Sequence, residues 1–514
     1  MRFIYDNLAV IHIALVASLT AWIFGGTQGG PLIPVLPWLF LFTIEILFVF
    51  PQKKAGEATY EARERVWRAM KKDPLVWVSF ALIVLLAVPF VNNGLCVSCD
   101  RELIALGHDP EPPVKFLPFC VNRLHHLNVF LWFMTGLSCA IAVRHCLNRS
   151  GKRLLVEMIV WNGFALAILG FVQTATDAPG PLWQPFTNVA QGDTFFSTFG
   201  YPNMAGDFFT TLFGLAVALW RRSDSEIHEL FKTNRVEMEK NRYRTFCRRH
   251  HHLIPAVVFF FAALNTLSRA AIILDVLLTA VYFAHAFLSF SRRMRRAERV
   301  RKGTIALAIT GVLVFFSVQS IPEDMQTEVD TLNTEEVLTR VTGKGKYHVR
   351  VATELWKDNF LFGCGGWGYK HFCISKMTPE ELNQIQMVGG INVHNDYLQF
   401  LAEHGFVGFG LMVASVLLLL VPVVTDWKRL YRATRFAKAS DLPARPVALF
   451  ALPAPVFCIL MTTVATLIHG FGDCPLRSAA VSVQFYITLA VLPGFIPKAA
   501  GEQEEKGHHH HASR

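Results

Sequence analysis

The chain has 514 residues, of which 52% are hydrophobic and only 17% are charged, and its mean hydropathy is +0.35. Soluble domains carry about 25% charged residues, so this composition excludes an ordinary soluble domain and predicts a polytopic membrane protein. The formal charge of +10 does not indicate a nucleic-acid partner, because the basic residues lie in short loops between apolar runs, as the positive-inside rule expects.

Many apolar runs are long enough to cross a bilayer, which takes roughly 20 residues. We therefore predict an all-α fold, a polytopic transmembrane helical bundle of about twelve spans. The predicted spans are residues 8–24, 31–50, 74–91, 127–143, 153–175, 201–220, 252–267, 269–290, 303–320, 406–424, 446–468 and 477–496.

Loop charge predicts the orientation of these spans. Basic loops such as SRRMRRAERVRK and DWKRLYRATRFAK follow even-numbered spans, which places them and both termini in the cytoplasm. The predicted organisation is 1–195, N-terminal transmembrane helices; 196–320, central transmembrane helices; 321–405, a large outward loop; 406–497, C-terminal transmembrane helices; and 498–514, a disordered cytoplasmic tail. The four histidines of the tail are native or the remnant of a tag.

Several cysteines fall in the predicted outward loops, where an oxidising periplasm permits disulfides. Cys96, Cys99 and Cys120 lie in one such loop, and a structural disulfide within 96–120 is the favoured interpretation. The alternative is that the Cys-x-x-Cys pair forms half of a zinc site, but no second pair has metal spacing.

Arg269, in NTLSRAAIILD, lies at the outward turn between spans 7 and 8 and so opposes the positive-inside trend. A phosphate ligand would compensate its charge through bidentate hydrogen bonds. The alternatives are that Arg269 snorkels to the interface or pairs with Asp275, although a spacing of six residues is poor for contact on a helix.

Two further outward turns hold polar residues at membrane depth, where such residues are candidates for function. IHGFGDCPLR contains His469, Asp473 and Arg477, and its alternative interpretation is a turn in which Asp473 caps the last helix. GYPNMAGD begins span 6, and its Asn203 is a plausible N-cap.

The large outward loop contains GCGGWG, residues 363–368, which matches G-x-G-x-x-G. No strand precedes it and no βαβ unit follows, so a dinucleotide site is excluded. We expect a tight turn here, which could approach a ligand closely.

The segment VGGINVHNDYLQFLAEHGFVGF, residues 388–409, is predicted to hold a short interfacial helix over 396–404. Asn395 or Asp396 caps its start, and Gly405 ends it before a span that begins near 406.

His394 then precedes a helix N-terminus at the outer membrane surface. The helix dipole disfavours imidazolium there, and a neutral imidazole can act as a general base. The alternative is a histidine that is only hydrogen-bonded at a helix start.

Together, GYPNMAGDF, TLSRAA, RVATELWKDNFLFGCGGWGY, VHNDYLQFLAEHGFVGF and IHGFGDCPLR resemble the O-antigen ligase and O-antigen polymerase family over roughly residues 195–480. The resemblance implies a C-type-glycosyltransferase-like enzyme of the bacterial inner membrane that is inverting, needs no metal or other cofactor, and has a periplasmic active site. Its donor would be a glycan linked to a polyprenyl pyrophosphate, such as undecaprenyl pyrophosphate. Its acceptor would be a hydroxyl of a lipid or a glycan, as in lipopolysaccharide biosynthesis.

The resemblance also implies residue roles. His394 matches the catalytic His-Asn position and Arg269 the donor-binding Ser-Arg position. The second pyrophosphate ligand is Arg350, with Lys344 or Lys346 as substitutes, because GKGKYHVRVATELW departs from the family pattern. The expected supporting residues are Asn395, Asp396, Asn203, Ser268, His469, Asp473 and Arg477.

Other functions remain open at this point. A repeat-unit polymerase or a protein O-oligosaccharyltransferase of the same family would use the same residues as a ligase. A transporter or flippase of lipid-linked glycans is the alternative outside enzymes, but the sequence shows no inverted repeat and its polar clusters lie at one face.

Overall fold

A computed structural model of the chain describes residues 2–26, 35–54, 56–92, 112–184, 195–233, 241–291, 345–381, 392–437 and 452–497, with the single residues 304 and 311. Helices dominate these residues, which contain no β-strand and only one isolated bridge, between Phe196 and Phe199. The all-α prediction is therefore confirmed for the described part of the chain.

The α-helices of these residues are numbered here in chain order. They are α1 (Arg2–Asp6), α2 (Leu8–Trp22), α3 (Leu36–Val49), α4 (Thr59–Lys72), α5 (Pro74–Ala87), α6 (Arg123–Cys146), α7 (Arg149–Ala175), α8 (Pro202–Thr233), α9 (Arg242–His250), α10 (Leu253–Asn265), α11 (Arg269–Ser291), α12 (Gly345–Asp358), α13 (Gly368–Phe372), α14 (Asp396–Ala437), α15 (Ala454–Gly472) and α16 (Ala479–Val491).

Five helices among the described residues are long and apolar enough to cross a membrane, namely α6, α7, α15 and the greater parts of α11 and α14. A sixth span is obtained if α4 and α5, which meet at a bend of 71°, are counted as one. The predicted number of twelve is therefore not confirmed. Helices α2, α3 and α16 are apolar but shorter, and the span predicted at 303–320 lies outside the described residues except for residue 304 and residue 311.

The centre of the bundle is α6, which packs against α3, α5 and α16. Gly136 lets α6 and α16 approach closely, because a Cβ at this position would lie 2.8 Å from Tyr486 Cδ2. Helix α8 packs against α7, α10, α11 and α15 in the same core. These contacts fix the ends of α8, α11 and α15 relative to one another. The candidate active site described below lies at these helix ends.

A second hydrophobic core is separate from the main one. It is built by residues 345–381 and 392–404, which we call the loop unit, together with Phe119 and Val121. Val351 and Leu355 of α12 and Tyr369 of α13 are buried in it. The large loop is thus a packed unit where it is described, although its acidic stretch at 322–336 lies outside the described residues.

The glycine turn of the loop unit ends the short helix at the start of α14. The backbone N–H groups of Cys364 and Gly365 donate to the carbonyls of Ala402 and Glu403, at 3.1 and 2.8 Å. Because Gly365 has φ of +83°, only glycine fits this turn easily. The expectation of a tight turn is confirmed, and two of its N–H groups donate to the backbone of the helix end.

Gly405 breaks α14, as the sequence predicted. Its φ of +64° and ψ of −173° are non-helical, and the next two N–H groups, of Phe406 and Val407, donate to the carbonyls of Phe360 and Leu361. The short helix and the span are therefore separate rods joined at a glycine, and the loop unit covers the joint.

Candidate active site

His394 lies immediately before the short helix of α14, with a positive φ of 53°. Asn395 is the capping residue, since its Oδ1 accepts from the Leu398 N–H at 3.0 Å and its Nδ2 donates to the carbonyl of Phe471 at 3.2 Å. The His394 side chain is 48% exposed, and its Nδ1 lies 3.2 Å from Asp473 Oδ1. The imidazole is therefore held on one edge by a carboxylate while it remains accessible to solvent.

Asp473 is buried beneath His394 and collects several donors. The Tyr201 hydroxyl lies within hydrogen-bond distance of both carboxylate oxygens, at 2.9 and 2.7 Å, the Cys474 N–H donates at 2.7 Å, and Asn203 Nδ2 donates to Oδ2. Burial alone would raise the pKa of Asp473. Three effects outweigh burial and lower this pKa to about 2, namely the hydrogen bond with His394, the positive charge of His394 and the hydrogen bond from Tyr201. Asp473 is thus an ionised carboxylate at neutral pH.

Two roles that the sequence suggested for Asp473 and Asn203 are wrong. Asp473 does not start the last helix, because it ends α15, and Ser478 caps α16 by accepting from the Val481 N–H. Asn203 is not an N-cap, because α8 already begins at Pro202, whose fixed φ suits the first turn.

A continuous chain of hydrogen bonds joins four of the sequence motifs. Ser268 Oγ donates to Asn203 Oδ1 at 2.6 Å, Asn203 Nδ2 donates to Asp473 Oδ2, and Asp473 Oδ1 contacts His394 Nδ1. Arg269 follows Ser268 directly as the exposed first residue of α11. The chain therefore brings the Ser-Arg motif and His394 to one end of the bundle.

Asp275 offers Arg269 no hydrogen bond. It is fully buried, and neither of its carboxylate oxygens has a hydrogen-bond partner among the described residues. The pairing of these two side chains that the sequence left open is not supported by a hydrogen bond.

Arg477 forms a buried ion cluster under the site. Its Nη2 lies 2.8 Å from Glu403 Oε2 and its Nε lies 3.9 Å from Asp396 Oδ1. The guanidinium also stacks over the Trp367 and Phe400 rings, at 4.7 and 4.9 Å. Since both salt-bridge partners and the arginine side chain are fully buried, the cluster joins the turn before α16 to the short helix of α14.

Asp396 does not cap the short helix, because Asn395 does so. The Asp396 Oδ2 accepts from the Leu476 N–H at 2.9 Å, and its backbone N–H donates to the Asp473 carbonyl at 3.2 Å. These bonds tie the segment that carries His394 to the segment that carries Asp473.

His469 lies one helical turn before Asp473 and is fully buried. Its Nδ1 lies 3.2 Å from Asp207 Oδ1, and Thr466 donates to Asp207 Oδ2 at 3.1 Å. The structure therefore places His469 inside the bundle, below His394 and without contact to solvent.

Arg350 lies on α12, where carboxylates already surround its guanidinium. Its Nη1 lies 3.0 Å from Glu354, and its Nη2 lies 2.6 Å from Glu381 and 3.2 Å from the Lys376 carbonyl. The side chain of Lys346 and all of residue 344 lie outside the described part of the chain.

His348 and Tyr201 were missed as site residues by the sequence analysis. The His348 ring centroid lies 6.3 Å from that of His394, and its Nδ1 lies 2.7 Å from the Tyr369 hydroxyl. Burial, with a smaller effect of the His394 charge, lowers the pKa of His348 to about 4. No motif singled out His348, whereas Tyr201 stands inside GYPNMAGD and is marked only by its position before Pro202.

His394, Asp473 and Cys474 are the described residues that could together hold a metal ion, with ligand atoms within 4.8 Å of one another. A nitrogen, a carboxylate oxygen and a sulfur suit zinc. However, the Cys474 N–H donates to Asp473 Oδ1 and Asn203 Nδ2 donates to Asp473 Oδ2, so a metal would have to compete with these donors.

A search of protein families finds a match to the family described as O-antigen ligase, over residues 254–413. The matched segment contains the Ser268–Arg269 pair and the whole segment around His394, whereas Asn203 and Asp473 lie outside it. No curated protein matches the chain.

Proposed function

We propose that this chain, whose residues 254–413 match the O-antigen ligase family, is a membrane glycosyltransferase that transfers a polyprenyl-pyrophosphate-linked glycan to an acceptor hydroxyl. We place this reaction at the periplasmic face of a bacterial inner membrane. The transfer inverts the anomeric carbon and needs no metal ion. The preferred acceptor is a lipid, as for a ligase.

The hydrogen-bond chain from Ser268 to His394 carries the proposal. It joins residues that are far apart in the sequence, and it ends on a half-exposed imidazole held by an ionised, buried carboxylate. A histidine that only stabilised a helix start would not need such a partner. A base oriented by a third group is the general pattern for activating a weak nucleophile.

The protonation state of Asp473 determines the tautomer of His394. Because the pKa of Asp473 is lowered to about 2, its carboxylate only accepts hydrogen bonds near neutral pH. The hydrogen bond of 3.2 Å between His394 Nδ1 and Asp473 Oδ1 then requires the proton to be on Nδ1. In the neutral imidazole this leaves the lone pair on Nε2. This nitrogen is the one we propose as the general base.

In the proposed reaction, Nε2 takes the proton of the acceptor hydroxyl as its oxygen bonds to the anomeric carbon of the donor. The bond between that carbon and the pyrophosphate oxygen breaks, and the pyrophosphate leaves with the electron pair. Asp473 stabilises the imidazolium that forms. Attack on the face opposite the leaving group inverts the configuration.

Arg269 is the proposed ligand of the leaving pyrophosphate. It is exposed at the start of α11, where the N-terminal dipole adds to its positive charge. Cationic groups aimed at the charge that develops in the transition state supply the stabilisation that a metal ion provides in other transferases.

The second pyrophosphate ligand is proposed to be Arg350 or Lys346. In the described conformation, Arg350 is paired with Glu354 and Glu381, so donor binding through Arg350 would require one carboxylate to give way. Separate substitutions at the two positions distinguish these possibilities.

The test is glycan transfer by the full chain reconstituted in proteoliposomes with a labelled lipid-linked donor. We expect His394→Ala to lower the transfer rate by about 10²- to 10⁴-fold, the usual range for a general base, and Arg269→Ala to lower it by about 10²-fold or more. His251→Ala and Arg68→Ala, at exposed or half-exposed positions outside the site, are the matched controls. Full activity of both site variants would contradict the proposal, and vectorial donor movement without a new glycosidic bond would indicate a transporter.

The acceptor class is tested in a deletion strain by profiling its surface glycans. Loss of all attached polymer supports the ligase, whereas single-repeat glycans would indicate a polymerase.

A further inference from the structure

A cavity of about 420 Å³ lies at the end of the bundle opposite to His394. Helix α6 connects the two ends: His126, near its start, accepts a hydrogen bond from the Gly366 N–H of the loop unit, and Arg144, near its end, lines the cavity. At 1.5 Å per residue, the helix separates these residues by roughly 27 Å. The cavity is therefore distinct from the candidate active site.

Lys152, in the first turns of α7, is the unusual residue of this cavity. Its side chain is buried, with only 7% of the residue exposed, and no hydrogen bond or ion pair is found for its Nζ among the described residues. Arg144 and Arg149 lie close enough to repel its charge, and the attraction of Asp426 is weaker. An ammonium group that is buried beside like charges is costly unless an anion compensates it.

The acidic residue of the cavity does not supply this compensation. Asp73 already pairs with two other side chains, since its Oδ2 lies 2.7 Å from Arg144 Nε and 2.8 Å from His145 Nε2. It also caps α5 by accepting from the Leu75 N–H at 3.0 Å. Lys72, at the rim, adds a further exposed cation. The lining of the open cavity thus carries more positive than negative charge.

Most of the remaining lining is apolar, and part of it comes from helices α14 and α16. Leu419 and Pro422 of α14, with Ala490 of α16, form this part of the wall. Lys152 lies only three residues after the start of α7, which is about 4.5 Å along the helix, so the cavity is at the depth of the membrane interface. Basic pockets between helices at this depth suit the head groups of anionic lipids.

We propose that the Lys152 cavity binds a phosphate group, with Lys152 as its buried ligand and Lys72 at its rim. The phosphodiester of an anionic phospholipid, such as phosphatidylglycerol, fits both the charged and the apolar part of the wall. A soluble phosphate has the same chemistry at the charged part. This inference is independent of the proposed transfer reaction.

The experiment uses the full chain in nanodiscs. In one arm, phosphatidylglycerol is titrated into phosphatidylcholine nanodiscs and the bound lipid is counted by native mass spectrometry. In the other arm, inorganic phosphate is titrated onto the protein in pure phosphatidylcholine nanodiscs by calorimetry. The variants are Lys152→Gln and Lys152→Arg, with Lys53→Gln as the control for an exposed lysine at the same end of the bundle.

We expect saturable binding of phosphatidylglycerol that Lys152→Gln weakens about tenfold or more, as for the loss of a charge-assisted hydrogen bond in a buried site. Lys152→Arg and Lys53→Gln should retain it. Saturable binding of inorganic phosphate with the same dependence on Lys152 would also support the cavity and would identify a soluble source. Equal binding by Lys152→Gln and the unmodified chain in both arms, or no saturable binding in either, would overturn the proposal.

Thermal unfolding of Lys152→Met gives a second readout that does not depend on measuring the bound ligand. In pure phosphatidylcholine, an apolar residue at this position should be at least as stable as the uncompensated lysine. Phosphatidylglycerol should raise the unfolding temperature of the unmodified chain but not that of Lys152→Met. A lower unfolding temperature of the variant in pure phosphatidylcholine would show that Lys152 is compensated within the protein and would also overturn the proposal.

Discussion

Replacement of Asp473 by Asn tests the proposed base most directly, because it removes the charge and keeps the shape. The carboxylate contacts His394 Nδ1 through Oδ1 and accepts from Asn203 Nδ2 on Oδ2, and an amide cannot be an acceptor at both of its positions. His394 would lose both the group that selects its Nδ1–H tautomer and the charge that stabilises its imidazolium. We expect kcat for glycan transfer to fall by about 10³- to 10⁴-fold, as when the carboxylate of a catalytic triad is replaced by an amide.

The same substitution has a calculable effect on stability. A shift of the Asp473 pKa from 3.8 to about 2 corresponds to about 2 kcal/mol at 1.36 kcal/mol per unit. Because the folded-state pKa is the lower one, this stabilisation is present above pH ~4 and is lost as the pH falls towards ~2. The unfolding temperature of Asp473→Asn in detergent should therefore be below that of the unmodified chain at pH 7, and the difference should shrink in acid.

The assay separates catalysis from folding. Transfer of labelled lipid-linked glycan by folded protein gives kcat and KM, and Asp358→Asn, at an exposed carboxylate that pairs with Lys376, is the control. A lower kcat with an almost unchanged KM is the expected signature of a group that acts in the transition state. Activity of Asp473→Asn within about threefold of the unmodified chain would refute the role of this carboxylate in the reaction.

Three further predictions address the scaffold and the chemistry. Gly405→Ala should lower the unfolding temperature, because the backbone has φ of +64° and a Cβ would collide with the backbone of the turn that covers it. Gly410→Ala, where a Cβ meets nothing within 4 Å, should be neutral or stabilising, and equal effects at both glycines would be contrary to this reasoning. Arg477→Met should destabilise the protein by about 3–5 kcal/mol because it leaves a buried Glu403 without its partner, and adding Glu403→Gln should restore part of the loss of unfolding temperature. Transfer should persist in excess chelator, and a loss that added divalent metal restores would contradict the metal-free mechanism.

The sequence predicts local structure well where one residue dominates it. The break at Gly405 and the tight turn at residues 363–368 follow from backbone freedom that only glycine provides, and both are present. The number of spans is harder to predict, because hydropathy does not distinguish a helix that faces lipid from a shorter apolar helix or a bent pair. Helices α2 and α3 read as spans in the sequence but have only 15 and 14 residues in the structure.

The site could be predicted as a set of motifs but not as a network. Arg269, His394 and Asp473 were each selected because a charged or titratable residue at membrane depth is costly. Their partners depend on how α8, α11 and α15 meet, which no local pattern contains. Capping, the alternative role of Asn203 and Asp473, is the usual one for these residue types beside a turn, whereas the tertiary structure uses both side chains to link the helices.

Three arginines that the sequence assigned to the same site have different surroundings in the structure. Arg477 is fully buried against Glu403 and between two aromatic rings, so moving it to a ligand would expose a buried carboxylate. Arg350 is partly exposed and shares its guanidinium between two carboxylates, and such exposed pairs contribute little to stability, typically about 0–1 kcal/mol. A pyrophosphate could therefore displace the partners of Arg350 at small cost but not those of Arg477. This argument favours the proposal that Arg269 and Arg350, rather than Arg477, bind the diphosphate. Arg477 instead joins the two segments that carry His394 and Asp473.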